Sequence, residues 1–376
     1  MKIAIDARGA DLYNGTGIGT YTFNLINNMI NLNSSNKFML FCSGSLNKNF
    51  NKSNTEILFS SGHHGTFYEK YYFPSKIKNS NIDLYHIPQN GIGFNYDVDI
   101  PTVVTIHDLI PYIMPETVGK GYLERFLRDM PNIIRKSAAI LTVSEYSKKD
   151  ILKFFSFYPE NQIYVTPLAT NSKFKPLDKI QSKSYVQKKY SFTTPYILYI
   201  GGFSQRKNTA GLIKAFNNCY NSLNKSYTLL LGGSLKDEGL QLYDYVKANN
   251  LSDKIKFCGY LDEDILPILY SGCEAFIYPS FYEGFGLPPL EAMSCAAPVI
   301  TSNITSIPEV TNDSAILINP YSQLELEKAL VRLLNDEILK KELSEKGYNN
   351  SLKFSWKNTA EKTLNIYQDI INSLSV

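Results

Sequence analysis

Two carboxylates, Glu283 and Glu291, lie eight residues apart on either side of a turn that is rich in glycine and proline. The run 275–280 before them predicts a short buried strand, because β-branched and aromatic residues dominate it. The stretch 290–295 predicts the first turns of a helix, with prolines just before it that suit a helix start. We therefore expect Glu283 in the loop at the carboxyl end of a strand and Glu291 inside the helix.

The residues between the two glutamates can bind an anion. The backbone N–H groups of Phe285, Gly286 and Leu287 are expected at the helix N-terminus, where the helix dipole and free amides favour phosphate. Carboxylates, in contrast, suit the hydroxyl pairs of sugars and riboses. One loop thus offers the complementary groups for a nucleotide-sugar.

Two further loops stand between a predicted strand and a predicted helix. In the first, Gly17 and Gly19 allow the backbone to approach a ligand closely, but their spacing is not the G-x-G-x-x-G of nicotinamide binding. In the second, Arg206 and Lys207 can clamp a diphosphate, the arginine through its fork and the lysine as a point charge. Taken alone, the first can be a plain turn, and adjacent basic residues in a loop are usually solvated surface.

His107 directly follows the predicted strand 102–106. A histidine there can act as a base or hydrogen-bond a hydroxyl, although a lone histidine at a strand end is often a satisfied core residue. The other histidines show no ligand spacing with one another or with the cysteines, so no metal site is predicted. They are His63, His64 and His86.

Two other patterns are interpreted as structural. Asp97-Val98-Asp99 matches the D-x-D pattern with which metal-dependent sugar transferases hold a cation, but it lies in loop sequence and predicts a solvated turn. The stretch 121–135 is a basic amphipathic helix of the kind that can lie on anionic lipid. More often such a helix packs on its own sheet, and Pro131 in its middle weakens the membrane interpretation.

Composition bounds the class of protein. A chain of 376 residues suggests two domains, and its 44% hydrophobic content excludes wholesale disorder. A net charge of +3 argues against nucleic-acid binding. Five cysteines without a C-x-x-C pair fit free thiols in a reducing compartment. No apolar run approaches the roughly 20 residues that span a bilayer, and no signal peptide is evident. We expect a cytoplasmic protein, with any membrane contact peripheral and at the inner face.

Short β-branched runs recur along the chain and alternate with amphipathic stretches. Strands are predicted at 2–6, 82–87, 102–106, 139–143, 162–165, 196–200, 227–231, 254–258, 275–278, 298–301 and 315–318. This alternation is typical of parallel sheets covered by helices on both faces, whose ligands bind beyond the carboxyl ends of the strands. The pattern predicts an α/β fold of two Rossmann-like, doubly wound domains that face each other across a cleft.

Four segments follow from these patterns. Residues 1–170 form the N-terminal domain and residues 195–355 the C-terminal domain. Between them, 171–194 is polar and lysine-rich without a clear apolar period, which is typical of a linker. The segment 356–376 has the apolar spacing of a helix, and we expect it to pack back on the N-terminal domain.

In their order along the chain, these motifs resemble the retaining glycosyltransferases of family 4, which have the GT-B fold. The succession is far more specific than any single motif, and it outweighs the structural interpretations of the loops and of the histidine. It does not outweigh those of the D-x-D match and the amphipathic stretch. The resemblance rests on the first glycine-rich loop, Ile106-His107-Asp108-Leu109, Thr142-Val143-Ser144-Glu145-Tyr146-Ser147, Arg206-Lys207-Asn208, Glu283…Glu291, Pro298-Val299-Ile300-Thr301-Ser302 and Ile307-Pro308-Glu309-Val310.

The resemblance implies donor-binding roles in the C-terminal domain. Glu283 would bind hydroxyls of the donor sugar and contribute to catalysis, and Glu291 would bind the ribose diol. Arg206 and Lys207, with amides near Gly286 and Leu287, would hold the diphosphate without a metal or other cofactor. Phe285 and Gly286 would also line the donor sugar, while Tyr260 and Leu261 are candidates for the base. One departure stands out, because many members carry an arginine where this chain has Gly202.

The resemblance also implies the chemistry. His107 would lie near the reacting sugar from an N-terminal acceptor domain, and Gly17 and Gly19 would let that domain close over it. Similar enzymes retain the anomeric configuration by same-face attack, in which the acceptor hydroxyl loses its proton to the departing phosphate. Catalysis would then be mostly positional and electrostatic.

The string 107–112 resembles enzymes that transfer mannose or a deoxyhexose during surface-polysaccharide assembly. We therefore favour GDP-mannose as donor over UDP-linked hexoses, with a glycan or lipid-linked acceptor. Two other classes stay open. A nicotinamide-dependent oxidoreductase needs a G-x-G-x-x-G fingerprint, which the chain does not offer cleanly. An inactive sugar-nucleotide-binding protein should have replaced Glu283, Lys207 or His107, and none is replaced.

Overall fold

The structure is a computed structural model that describes residues 1–32, 35–43, 46–60, 65–95 and 97–374. His63 and His64 lie outside this part of the chain. The chain divides into two compact units. Unit 1 comprises Met1–Ala169 and Ser355–Val376, and unit 2 comprises Thr170–Phe354.

Unit 1 is built on a parallel sheet of seven strands in the order β3-β2-β1-β4-β5-β6-β7. The strands are β1 Lys2–Asp6, β2 Lys37–Cys42, β3 Thr55–Phe59, β4 Leu84–Ile87, β5 Thr102–Ile106, β6 Ala139–Thr142 and β7 Ile163–Val165. The helices are α1 Gly9–Leu12, α2 Gly17–Asn31, α3 Gly65–Phe67, α4 Phe73–Lys78, α5 Ile110–Ile113, α6 Lys120–Lys136 and α7 Glu145–Phe154, and a π-helical turn, Tyr68–Tyr72, joins α3 to α4. The central strands are buried apolar runs because helices cover both faces.

Unit 2 repeats this architecture with six parallel strands in the order β10-β9-β8-β11-β12-β13. The strands are β8 Tyr196–Ile200, β9 Thr228–Gly232, β10 Ile255–Gly259, β11 Ala275–Tyr278, β12 Val299–Ser302 and β13 Ile316–Ile318. The helices are α8 Lys179–Tyr190, α9 Thr209–Cys219, α10 Glu238–Ala248, α11 Leu266–Gly272, α12 Leu287–Ser294, α13 Ile307–Thr311, α14 Gln323–Leu334 and α15 Glu337–Ser351. A final helix, α16 Trp356–Leu374, belongs to unit 1, where it packs against α2. The two parallel, helix-covered sheets confirm the predicted α/β class.

The sequence analysis missed β2 and β3. In β2, Lys-Phe-Met-Leu-Phe-Cys contains no β-branched residue, although five of its six positions are buried. In β3, exposed and half-buried positions mix because this strand is the edge of the sheet. Only β2 lacks the composition on which the strand predictions depended, since β3 contains Thr55 and Ile57 but has the charged Glu56 between them.

The segment 171–194 is not a linker between the units. It lies within unit 2, and α8 in its middle packs against α11. Its apolar stripe is weak, since only Ser182 and Val186 are buried along the helix. The contact is close all the same, because a Cβ on Gly272 would lie 2.7 Å from the backbone nitrogen of Lys183. A glycine on the partner helix, which the local pattern of 171–194 cannot reveal, allows this packing.

The amphipathic helix α6 packs on its own unit, as the sequence analysis favoured. Phe126, Met130, Ile133 and Ile134 are buried in the core of unit 1, while its arginines lie on the outer face. Pro131 is accommodated inside the helix. None of the helices in the described part of the chain combines the length and apolar character needed to cross a bilayer.

Candidate active site

The predicted donor-binding residues of unit 2 lie beyond the carboxyl ends of β8 and β11. These two strands are neighbours in the sheet, yet β9 and β10 continue on one side of them and β12 and β13 on the other. Such a reversal of strand order is a topological switch point, where the loops on the two sides diverge and leave a crevice. The loop after β8 carries Arg206 and Lys207, and the loop after β11 carries Glu283.

One oxygen of Glu283 is the acceptor for four side chains. Its Oε1 accepts hydrogen bonds from Lys207 Nζ at 2.7 Å and from Arg206 Nη1 at 2.9 Å. The hydroxyls of Ser280 and Tyr278 donate to the same oxygen at 2.6 and 3.1 Å. The structure therefore places Glu283, which was predicted to bind the donor sugar, in one cluster with Arg206 and Lys207, which were predicted to bind the diphosphate.

The two cations determine the charge state of Glu283. The carboxyl group is about nine-tenths buried. Burial raises the pKa of Glu283, but the charges of Lys207 and Arg206 outweigh it, and with the hydrogen bonds they lower the pKa to about 2. Glu283 is therefore ionised throughout the physiological range, and as a carboxylate it can only accept hydrogen bonds.

Backbone contacts hold the two loops together. The N–H of Phe281 donates to the carbonyl of Arg206 at 2.8 Å, and Arg206 Nη1 donates to the carbonyl of Tyr282. The short 3₁₀ turn Gln205–Lys207 ends at Asn208, which adopts a left-handed conformation and starts α9. These contacts fix the position of both cations relative to the loop after β11.

Gly286 and Leu287 stand at the start of α12, so the predicted phosphate-binding amides lie at a helix N-terminus. Gly286 has a φ of +115°, and a Cβ there would lie 2.6 Å from Ile307 Cδ1, so the position requires glycine. The hydroxyl of Ser306 donates to the carbonyls of Glu283 and Phe285, each at 2.8 Å, and fixes the turn. Because prolines occupy the second and third positions of the helix, Leu287 supplies the only N–H among its first three residues.

Glu291 lies in α12 and differs from Glu283 in its charge environment. It accepts a hydrogen bond from the hydroxyl of Tyr270 at 3.1 Å. Burial raises the pKa of Glu291 to about 8, and the nearby charge of Glu263 adds to the rise. At neutral pH the carboxyl group is mostly protonated, so it can donate one hydrogen bond as well as accept others.

The two candidates for base binding follow β10, and Gly202 follows β8. Tyr260 is 72% exposed after β10, while Leu261 is half-buried, with its Cδ1 2.4 Å from where a Cβ on Gly232 would lie. Gly202 is exposed, and a Cβ there would meet nothing within 4 Å. The position that carries arginine in many family members therefore has room for a larger side chain.

His107 lies in unit 1, directly after β5, and is buried and neutral. Its Nε2 is 2.8 Å from the carbonyl oxygen of Pro88, which can only accept, so Nε2 carries the proton and Nδ1 keeps a lone pair. Burial lowers the pKa of His107 to about 4. Its backbone N–H donates to Asn90 Oδ1 at 2.8 Å, and Tyr21 packs its ring at 89° to the imidazole.

The glycine-rich loop of unit 1 leads into α2. Thr16 caps this helix by accepting the N–H of Gly19 at 3.3 Å. A Cβ on Gly19 would lie 2.1 Å from the carbonyl oxygen of Tyr13, whereas a Cβ on Gly17 would meet nothing within 4 Å. Close backbone packing thus requires glycine at 19, while position 17 leaves open space above the loop.

The D-x-D match lies apart from these residues in sequence and environment. Asp97 and Asp99 are both exposed, and the N–H of Asp97 bonds to Asn95 in an ordinary turn. Across the described ranges of the chain, no group of three or more His, Cys, Asp or Glu side chains is arranged to hold a metal ion.

Comparison with known proteins shows the family. Residues 183–350 match the family model described as Glycosyl transferases group 1, and residues 15–173 match the one described as Glycosyltransferase Family 4. The O-antigen chain mannosyltransferase B of Escherichia coli is 34% identical over 266 residues, which cover 71% of this chain and 70% of that protein. The chain belongs to the family 4 glycosyltransferases.

Solved structures show the same fold for this glycosyltransferase. Sucrose-phosphate synthase from Thermosynechococcus elongatus superposes with a TM-score of 0.76 at 19% identity, covering 99% of this chain and 100% of that one. HepE from Anabaena, solved with UDP and glucose, gives 0.73 at 18% identity, covering 100% and 99%. The expected family, GT-B fold and enzyme class are thus confirmed, while the roles of individual residues stay predictions.

The sequence analysis of this glycosyltransferase missed the residues that hold Glu283 in place. Tyr278 ends β11 and Ser280 follows two residues later, and both hydroxyls donate to Glu283 because alternate positions of extended chain point to the same side. Ser306 lies more than twenty residues further on, before α13. The alternation of Tyr278 and Ser280 was a usable signal, whereas nothing local to Ser306 marks its contact.

Proposed function

We propose that this glycosyltransferase moves mannose from GDP-mannose to a hydroxyl of a glycan or lipid-linked acceptor, with retention of the anomeric configuration. The mannose assignment is supported by the relative in Escherichia coli, whose name describes O-antigen chain mannosyl transfer. The string 107–112, which resembles mannose- and deoxyhexose-transferring enzymes, also supports it.

The observation that carries the proposal is the cluster of Glu283 with Arg206 and Lys207. A diphosphate provides the two cations with a second anionic partner, and the nearby amide of Leu287 adds a donor at a helix N-terminus. Once the cations also bind phosphate, the carboxylate of Glu283 can accept hydrogen bonds from sugar hydroxyls. The fixed positive charge of Arg206 and Lys207 then neutralises the diphosphate, as a divalent cation does in metal-dependent transferases. For this reason we propose metal-independent transfer.

In the proposed step the acceptor oxygen attacks the anomeric carbon as the bond from that carbon to the phosphate oxygen breaks. The acceptor proton passes to the departing phosphate oxygen on the same face, so no protein base is needed. Arg206 and Lys207 stabilise the negative charge that develops on the leaving group, which is preorganised electrostatic catalysis. Glu291 binds the ribose hydroxyls, and its mostly protonated state lets it both donate to and accept from a diol.

In unit 1, we assign His107 the role of a hydrogen-bond acceptor for a sugar hydroxyl. The geometry at Nε2 leaves Nδ1 as a lone-pair acceptor, and a pKa near 4 keeps the ring neutral at physiological pH. A weak base of this kind suits positioning rather than proton abstraction, in agreement with a leaving group that removes the acceptor proton.

Calorimetric titration with GDP, UDP and NAD, in EDTA and then in Mg²⁺, tests the proposal. We expect GDP to bind in EDTA and to bind far more weakly after Arg206→Ala with Lys207→Ala, while guanosine binding changes little. NMR of the product from GDP-mannose should show the α-configuration retained. Selective binding of UDP would mean that the donor is a UDP-linked sugar and not GDP-mannose. Nucleotide binding that strictly requires Mg²⁺ would refute metal-independent transfer. Binding of NAD alone would refute the proposed glycosyl transfer.

The proposal includes peripheral contact with an anionic membrane through a surface of unit 1. Phe154, the last residue of α7, is 37% exposed, and Phe157, shortly after the helix, is 50% exposed. Lys153 lies over the ring of Phe154 and Arg135 over the ring of Phe157. Basic groups beside exposed aromatic rings suit the interface of an anionic bilayer. Vesicles that contain phosphatidylglycerol should bind the protein, and Arg135→Glu with Lys153→Glu should abolish binding. Equal binding to neutral vesicles would contradict this part of the proposal.

A further inference from the structure

Four aromatic residues of unit 1, two of them exposed and two half-buried, form a cluster that the proposed function does not use. Phe67, Tyr68, Tyr71 and Tyr72 lie on or beside the π-helical turn, and we call them the aromatic ledge. Phe67 contacts Tyr68 and Tyr71 with ring centroids 5.6 and 6.1 Å apart, and Tyr68 contacts Tyr72 at 5.3 Å. Phe67 and Tyr71 are 53% and 66% exposed, which is unusual for large aromatic side chains in mutual contact.

The ledge is tied to the carboxyl edge of the sheet. Glu69, within the π-helical turn, accepts a hydrogen bond from Arg8 Nη1 at 2.9 Å. Arg8 lies two residues after the end of β1 and is itself held by Asp6, at 2.6 and 2.8 Å. On the other side, Asn95 Nδ2 donates to the carbonyl of Glu69 at 2.6 Å. A π-helical turn is rare and often marks a functional position, and here it is anchored from two sides.

The distance from this anchor to His107 suits an extended ligand. Arg8 stands at the end of β1 and His107 at the end of β5, with only β4 between the two strands. Neighbouring strands lie about 4.8 Å apart, so the two strand ends are separated by roughly 10 Å along the edge. A chain of a few sugar rings with its reacting hydroxyl near His107 can therefore reach the ledge.

The chemistry of the ledge favours a glycan over other occupants. Aromatic faces pack against the C–H face of a pyranose ring, while neighbouring polar groups bind its hydroxyls. Tyrosine hydroxyls and the partly exposed Glu69 supply such groups. Lys76 Nζ lies 5.4 Å from the ring centroid of Tyr72, and the Glu69 carboxylate lies in the same turn as the rings. A partly exposed carboxylate at this place favours a neutral ligand with hydroxyl groups over an anionic membrane or nucleic acid.

We propose that the aromatic ledge is an acceptor subsite that binds the non-reacting sugar rings of a glycan. The inference rests on the proposed function, because it assumes that the reacting hydroxyl lies near His107. It assigns Phe67 and Tyr71 as the residues that select an oligosaccharide over a single sugar.

The test compares a long and a short acceptor. With GDP-mannose as donor, Phe67→Ala with Tyr71→Ala should raise the KM for α-linked mannotriose at least tenfold and leave kcat nearly unchanged. The KM for methyl α-mannoside, which has one ring, should stay as in the wild type. Tyr71→Phe retains the ring and removes only one hydroxyl, so it should raise the KM for mannotriose much less than the double substitution does. Tyr185→Ala, which removes a tyrosine that is 49% exposed on α8, is the matched control and should change neither KM.

If the double substitution changes the KM for mannotriose and for methyl α-mannoside equally, or changes neither, the proposal of an acceptor subsite is wrong. Calorimetric binding of GDP and slow hydrolysis of GDP-mannose report the proposed function without any acceptor, and both should be unchanged in the double variant. If no transfer from GDP-mannose occurs at all, binding of mannotriose is measured directly by saturation-transfer NMR. If the saturation-transfer signals from the distal rings of mannotriose persist in the double variant, the aromatic ledge does not bind those rings and the proposal is refuted.

Discussion

The substitution Glu283→Gln separates three properties of the site. Glutamine keeps the shape of the side chain but removes the charge that Arg206 and Lys207 share. In the wild type the pKa of Glu283 falls from an ordinary 4.5 to about 2. At about 1.4 kcal/mol per unit of pKa, this corresponds to about 3 kcal/mol of stability for the ionised form. We expect the variant to lose stability of this order at pH 7.

The pH dependence of this loss has a definite sign. A carboxyl group whose pKa is lowered by folding stabilises the native state fully above its unfolded pKa, near 4.5. That stabilisation disappears as the pH falls from about 5 through 2. The difference in stability between wild type and Glu283→Gln should therefore be constant from pH 6 to 8 and shrink below pH 5. Hydrogen exchange of peptides from unit 2 measures it locally, and Glu345→Gln, at an exposed position of α15, is the control.

Nucleotide binding and transfer should respond in opposite directions. Without Glu283 the two cations carry a net charge of +2 instead of +1, so GDP should bind as well as in the wild type or up to about tenfold more tightly. Transfer should fall about 10- to 100-fold, because the sugar loses charged hydrogen bonds worth about 1.5–3 kcal/mol. Calorimetry with GDP and a transfer assay with GDP-mannose measure the two effects. A variant that binds GDP tenfold more weakly would refute the idea that Glu283 competes with the diphosphate for the cations.

Two other changes test the site and its scaffold. Since burial raises the pKa of Glu291 to about 8, its ionisation weakens the fold as the pH rises from about 5 to 8. Glu291→Gln should therefore raise the melting temperature at pH 8 relative to wild type but not at pH 5, and an equal shift at both pH values would contradict this. Glu291→Ala should also weaken GDP binding by roughly 1–3 kcal/mol in calorimetry, and unchanged affinity would remove the ribose role. Gly19→Ala should destabilise unit 1 by about 1–3 kcal/mol, because its Cβ overlaps a backbone oxygen, while Gly17→Ala should change little. Thermal unfolding of the pair tests this, and equal melting temperatures would show that the loop can relax.

Much of the fold could be predicted because parallel α/β sheets leave a strong local signal. Strands buried on both faces read as short β-branched runs, and eleven such runs correspond to strands of the structure. Strand prediction failed in β2, which is buried but has no β-branched residues, and in β3, which lies at the edge of the sheet. Helix prediction failed at α8 for a related reason, since this helix buries little and packs through a glycine of α11.

The sequence by itself determined which groups serve the site. A glutamate at a strand end, a glycine–proline turn and a helix start are local features, fixed by backbone preference and side-chain chemistry. Only the tertiary structure decided how these groups interact. Arg206 and Lys207 stand more than seventy residues before Glu283, and they meet it because β8 and β11 are neighbours in the sheet. Strand order and burial, which set the charge of Glu283, the proton on Glu291 and the free nitrogen of His107, arise from packing between distant segments.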